Sequence, residues 1–180
     1  MQLLPLLAAQ MSPDDFNAKF ISGDRTDRGS FTELAVDNCA LIRVDWILVC
    51  KAIGDVPGYG SEWLKPNILP ALDKLTDQKN YQLKSVYLDA MKELGELIGA
   101  QALADNFLQH ALKMVEHRVP NLRLMCAETL GKIAKGGDNG KPWMDAGVVN
   151  DKIKPALQKL SEDTDVDVRD MATQKLEALG

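Results

Sequence analysis

Four basic residues, Arg43, Lys84, Arg123 and Arg169, sit in one shared pattern of apolar side chains, at spacings of 41, 39 and 46 residues. One position before them stand Ile42, Leu83, Leu122 and Val168; seven after, Cys50, Met91, Leu130 and Leu176; ten after, Ile53, Leu94, Ile133 and Leu179. Offsets of −1, +7 and +10 fall close together around a helix of 3.6 residues per turn. Each frame therefore predicts an amphipathic helix with its basic residue near the start. Nine positions before each marker lie Leu34, Leu75, Met114 and Leu160, which belong to a preceding helix separated by a short polar corner. A two-helix unit that recurs every ~40 residues buries its apolar faces by stacking on its neighbours. The predicted fold class is all-α, an α-solenoid of antiparallel helix pairs.

Boundary residues agree with that frame. Ser61 is expected to cap a helix from Glu62, and Asn150 one from Asp151; Ser30 with Glu33 spells a capping box. Gly54, Gly99 and Gly136 stand where second helices should end and a left-handed residue is wanted. Pro70 and Pro155 each lie fourteen residues before a marker, and a proline inside a helix bends it. No strand pattern competes. Residues 54–60 (GDVPGYG) and 136–142 (GGDNGKP) read as loops between pairs. Residues 22–30 (SGDRTDRGS) read as a surface insertion. The expected organisation is one HEAT-like array over 1–180: a half repeat at 1–12, then 13–54 with the 22–30 insertion, 61–99, 100–136 and 150–180.

Charge and composition narrow the function classes. The chain is 46% hydrophobic and 6% aromatic, with net charge −5 and no long basic block. That argues against nucleic acid or an anionic membrane as partner. No apolar run reaches the roughly 20 residues needed to span a bilayer. Cys39, Cys50 and Cys126 lack CxxC spacing and read as small buried side chains in a reducing compartment, so the expected location is cytoplasmic. The opening MQLLPLLAAQM lacks a basic n-region and carries Pro5 and Gln10, so it reads as a packing helix and not as a leader.

Site chemistry is sparse. Asp163, Asp165 and Asp167 alternate like the start of a calcium loop. Counted from Asp163, however, the sixth position is Val168 where Gly is needed, and the twelfth is Gln174 where a bidentate Glu is needed. The acids are better read as a helix–helix corner with its charges at the start of the second helix. Asp163 and Asp37, each six residues before a marker, are placed to pair with a base on a neighbouring helix. Residues 136–142 do not make a Walker loop, since Pro142 follows Lys141. His110 and His117 have no nucleophile at a useful spacing. The expectation is no enzyme, no metal and no cofactor. Trp46, Trp63 and Trp143 are assigned to packing, whereas Tyr81, a large aromatic at a corner, is a plausible anchor for a protein partner.

With the frame aligned, residues 152–179 (KIKPALQKLSEDTDVDVRDMATQKLEAL) closely resemble the last repeat of the scaffold (A) subunit family of protein phosphatase 2A. Residues 118–133 (RVPNLRLMCAETLGKI) resemble the repeat before it, and NYQLK at 80–84 and LLPLLAAQMSPDDFNAKF at 3–20 extend the likeness. The 22–30 insertion is the clearest departure. The resemblance implies a HEAT-repeat scaffold whose corners between paired helices hold the phosphatase catalytic subunit. By position, that ridge would comprise Asn80, Tyr81, Val119, Pro120, Asn121, Asp165, Val166 and Asp167. It also implies that residues 1–11 form a second helix without its partner, with Leu3, Leu4, Leu6 and Leu7 uncovered, so that either the chain self-associates through that helix or it is a piece of a longer scaffold. A HEAT adaptor for another protein, or a shortened copy competing with the full scaffold, is the alternative expectation.

Overall fold

The computed structural model describes residues 3–21, 30–137 and 142–180. The expected insertion at 22–30 falls almost wholly outside them, as do Met1, Gln2 and residues 138–141. The chain divides into two compact units, Met1–Ile98 and Gly99–Gly180. Among the described residues all regular structure is helical.

In the first unit, α1 (Leu4–Ala8) leads to α2 (Pro13–Phe16), which opens on Ser12 and continues into a π-helical turn, Asn17–Ile21. Ser12 accepts the Asp15 N–H at 3.2 Å. A 3-10 helix, Phe31–Val36, precedes α3 (Ala40–Gly54). The Ser30 N–H donates to Glu33 at 3.0 Å, so the Glu33 half of the capping box holds even though the helix it opens is 3-10. Then come α4 (Gly60–Asn67), α5 (Leu69–Thr76) and α6 (Tyr81–Ile98). α3 packs on α6, and α5 packs back on α6. Trp46, Ile53, Leu72, Leu75, Met91 and Leu94 are buried in this unit's core. A second cluster joins the beginning of the unit to α4. Phe16 meets the rings of Phe20, Tyr59 and Trp63 at centroid distances of 5.0, 5.8 and 6.2 Å. The Trp63 Nε1–H donates to Asn17 Oδ1 at 2.7 Å.

In the second unit a helical run passes through α7 (Ala100–Ala102), a π turn at Leu103–Phe107 and α8 (Leu108–Met114). α9 (Pro120–Lys135) follows. A matching run passes through α10 (Ala146–Val148), a π turn at Val149–Ile153 and α11 (Lys154–Leu160) before α12 (Val166–Glu177). α9 packs against α12 along its length. Gly131 permits that approach, because a Cβ there would lie 2.5 Å from Lys175 Cγ.

All four markers lie on the predicted second helices. Arg43, Lys84, Arg123 and Arg169 are each the fourth residue of α3, α6, α9 and α12. The −9 residues Leu75, Met114 and Leu160 are buried, and Leu34 is half-buried on the 3-10 helix.

Several local expectations are corrected. Ser61 is not an N-cap: α4 begins one residue earlier, and the Ser61 hydroxyl turns to Glu62 at 3.3 Å. Asn150 lies inside the π turn, and the extended residue before that helical run is Asp145. Gly99 and Gly136 do take positive φ, of 88° and 90°. Gly54 instead ends α3 in helical geometry, where a Cβ would sit 3.0 Å from both Leu64 and Leu97; its smallness matters, not its φ. Pro70 follows a break at Ile68, and Pro155 follows the π turn. The π turn at Leu103–Phe107 has the same register relative to Arg123 as Val149–Ile153 has to Arg169, yet Gln109 stands where Pro155 does. The widened turn therefore belongs to the repeat and does not need proline.

Cys50 and Cys126 are buried as expected, but Cys39 is exposed at the start of α3. Burial pushes the Cys50 thiol up, and the Cys126 thiol up to about 12. Since the thiolate is the reactive form, a maleimide at pH 7.5 is expected to label Cys39 alone in the folded chain. Mass spectrometry showing label on Cys126 without denaturant would contradict that. No helix among the described residues is long and apolar enough to cross a membrane.

Candidate protein-binding corners

Three of the four corners share a local grammar in which a residue six before the marker turns the chain, whereas before Lys84 Asn80 takes that role. Asp37 Oδ1 accepts the Cys39 N–H at 2.7 Å, His117 Nδ1 the Val119 N–H at 3.2 Å, and Asp163 Oδ1 the Asp165 N–H at 2.9 Å. Side chains that bond the backbone two residues on produce such turns. The marker then reaches back to the same residue. Arg43 Nη1 donates to the Asp37 carbonyl at 2.6 Å, Arg123 Nη1 to that of His117 at 2.7 Å, and Arg169 Nη1 to that of Asp163 at 2.7 Å. Each arginine thus closes the corner that precedes its own helix. The six-residue spacing was the only sequence trace of this contact.

In the second unit the same arginine also joins two corners. Arg123 Nε and Nη2 donate to Asp163 Oδ2 and Oδ1, both at 2.6 Å. The two side chains are about nine-tenths buried. A forked pair of this kind combines charge with fixed geometry. The Arg123 hydrogen bonds hold the Asp163 carboxyl below the usual carboxylate range, against the opposing effect of burial, and raise the Arg123 guanidinium in turn. A further, exposed link joins Lys159 to Glu116, and Lys159 lowers the Glu116 pKa.

These roles decide how the three acids of 163–167 are used. Asp163 serves Arg123. Asp165 caps α12, accepting the Asp167 and Val168 N–H groups at 3.1 and 3.3 Å. Asp167 is exposed in the first turn, where the helix dipole favours it.

The predicted ridge residues stand at the corners. In the first unit Asn80 is exposed and accepts the Gln82 N–H at 3.0 Å, while Tyr81, the first residue of α6, is half-buried and not a freely exposed ring. In the second unit Pro120 and Asn121 are exposed at the start of α9, with Val119 half-buried before them. Val166 is 55% exposed at the start of α12, between half-buried Asp165 and exposed Asp167. The Arg123–Asp163 pair therefore holds 119–121 and 165–167 in one fixed arrangement. Among the described residues no group of three or more His, Cys, Asp or Glu gathers as a metal centre would need.

With four pairing helices each carrying a marker at its fourth position, the comparisons with known proteins can be placed on the fold. The A-type regulatory subunit of protein phosphatase PP2A from Saccharomyces cerevisiae is 28% identical over 120 residues, 66% of this chain and 19% of that protein. The PP2A 65 kDa regulatory subunit of Drosophila melanogaster is 41% identical over 58 residues, 32% of this chain and 9% of that one. The chain is similar in sequence to PP2A regulatory A subunits. The chain spans about a fifth of the length of the yeast protein it matches, and less of the fly one. No family model matches. Among solved structures, Cex1p superposes with a TM-score of 0.67 at 15% identity, over 98% of this chain and 31% of that one. A designed armadillo repeat protein superposes with a TM-score of 0.50 at 16% identity, over 98% and 73%. These two likenesses bear on the fold alone and agree with an all-α solenoid class.

Proposed function

We propose that this protein is a non-catalytic scaffold that binds the catalytic subunit of protein phosphatase 2A through its intra-pair corners. The observation that carries the reading is the Arg123–Asp163 fork, which fixes two corners against each other while leaving Pro120, Asn121, Val166 and Asp167 exposed. A surface ordered before binding loses little conformational entropy when a partner docks. Similarity to the PP2A regulatory subunits of yeast and fly suggests the partner. Asn80, Tyr81, Val119 and Asp165 complete the proposed contact set. The reading treats the pairs as one array within 1–180 and locates the protein in the cytoplasm.

The test is surface plasmon resonance with the purified phosphatase catalytic subunit. The unaltered chain should bind, and Tyr81→Ala with Asn121→Ala should weaken binding by about ten- to a hundredfold, the range of a lost hot spot. Tyr81 is half-buried, so a thermal melt must show the double variant folded. Unchanged tight binding by a folded double variant would remove the ridge from the reading.

A second reading rests on α1 and the residue before it, where Leu3, Leu6 and Leu7 are 71%, 65% and 41% exposed. Self-association through residues 1–11 would cover them. Light scattering after gel filtration should then give a dimer mass that Leu3→Glu with Leu6→Glu reduces to monomer.

A further inference from the structure

Arg43 and Arg123 occupy the same place in their pairs but differ in what they hold. Both are fourth in their helices, and both donate Nη1 to the carbonyl six residues back, at 2.6 and 2.7 Å. Arg123 then spends Nε and Nη2 on the Asp163 carboxylate. Arg43 is only 9% exposed, and its buried Nε has no hydrogen-bond acceptor among the described residues. A buried guanidinium N–H without an acceptor is costly and rare. The cause is readable in the register. Asp163 stands six residues before the marker of the following pair; in the first unit that position, six before Lys84, is Gln78. Gln78 is exposed, and its amide turns back to the Lys74 carbonyl at 3.1 Å.

We propose that the Nε edge of Arg43 is a carboxylate-binding site, completed by an acid from outside this chain where Asp163 completes the equivalent site on Arg123. The tether to the Asp37 and Asn38 carbonyls already orients the guanidinium, so a carboxylate meets a preformed fork. The idea rests on the corner-binding reading in one respect: a protein-borne Asp or Glu docking at this corner is one source of the acid, and a free carboxylate is the other.

The experiment uses the full chain. Q78D is expected to raise the melting temperature by about 2–5 °C, as a partly buried fork forms, and to give no rise in an R43Q background. The Arg43 Nε–H resonance should move downfield in Q78D. In the unaltered chain it should move likewise on titration with sodium acetate, compared with sodium chloride at matched ionic strength. Should R43Q not fold, the Q78D resonance decides alone. Absence of both the stabilisation and the resonance shift in Q78D overturns the site. The phosphatase catalytic subunit distinguishes the sources. Binding to Q78D at least about fivefold weaker than to the unaltered chain assigns the site to a protein carboxylate, whereas equal binding with an acetate-induced shift assigns it to free carboxylates. If the unaltered chain does not bind the catalytic subunit, the functional reading fails while the acetate and Q78D results still judge the site.

Discussion

Asp163→Ala is expected to destabilise the second unit by about 2–4 kcal/mol, the range for stripping one partner from a paired, hydrogen-bonded charge. The loss has two parts. Arg123 keeps its bond to the His117 carbonyl but loses both carboxylate contacts in a site about nine-tenths buried. The Asp165 N–H loses its acceptor as well. The figure stays below the full cost of an orphaned interior charge, because the fork lies at a corner near solvent. In a chain of this size that corresponds to a melting temperature lower by roughly 5–12 °C at pH 7.

The pH dependence follows from the depressed carboxyl of Asp163. Its folded pKa lies below the unfolded one, so its stabilisation is complete above the ordinary carboxylate pKa of about 3.9. It is lost as pH falls through the folded value. The gap between the unaltered chain and Asp163→Ala should be constant from pH 7 to about 5 and close as the medium is acidified below that. Asp163→Asn should recover part of the loss at pH 7, because its carbonyl still accepts one of the two Arg123 bonds. A gap that is absent at pH 7, or that persists undiminished at pH 2, would show that the fork contributes nothing through charge.

Phe16→Ala should cost the first unit about 3–5 kcal/mol, as large-to-small changes of a buried aromatic do. Phe16 is fully buried and is the ring that Phe20, Tyr59 and Trp63 all touch. Its removal also loosens the segment that carries Asn17, the acceptor of the Trp63 indole N–H. The expected signs are a lower first transition in calorimetry and a red-shifted tryptophan emission in the native state. A melting change under about 2 °C would mean that α2 is not held by this cluster.

Helix pairing was legible because it depends on a period: the residues seven and ten after Arg43, Lys84 and Arg123 are all buried, those after Arg169 half-buried, and all four markers sit at the fourth position of the expected helix. The pairing of Asp163 with a base was legible from charge and spacing, but the same reading of Asp37 was not met, since its carboxylate accepts the Cys39 N–H and Arg43 takes only its carbonyl. The helix starts at Gly60 and Ala146 were not, since packing decides them over the better caps Ser61 and Asn150. Nor were the π turns, because Leu103–Phe107 contains no proline and no breaker to announce one. The exposure of Cys39 was not legible either, because a position just outside a helix has no periodic partner to reveal its face. Of the ridge, sequence located the corners, but it could not foresee that Tyr81 is half-covered while Val166 is largely bare.

The reach of each arginine to a main-chain oxygen has an evolutionary corollary. A peptide carbonyl is present whatever residue bears it, and Asp37, His117 and Asp163 all serve equally as the anchor. The grip of the arginine on these bends is thereby indifferent to which residue bears the carbonyl, while the side chain at that one position still sets the turn. Substitutions that retune recognition can accumulate at the exposed positions beyond it, such as Asn121 and Val166, without deforming the framework beneath.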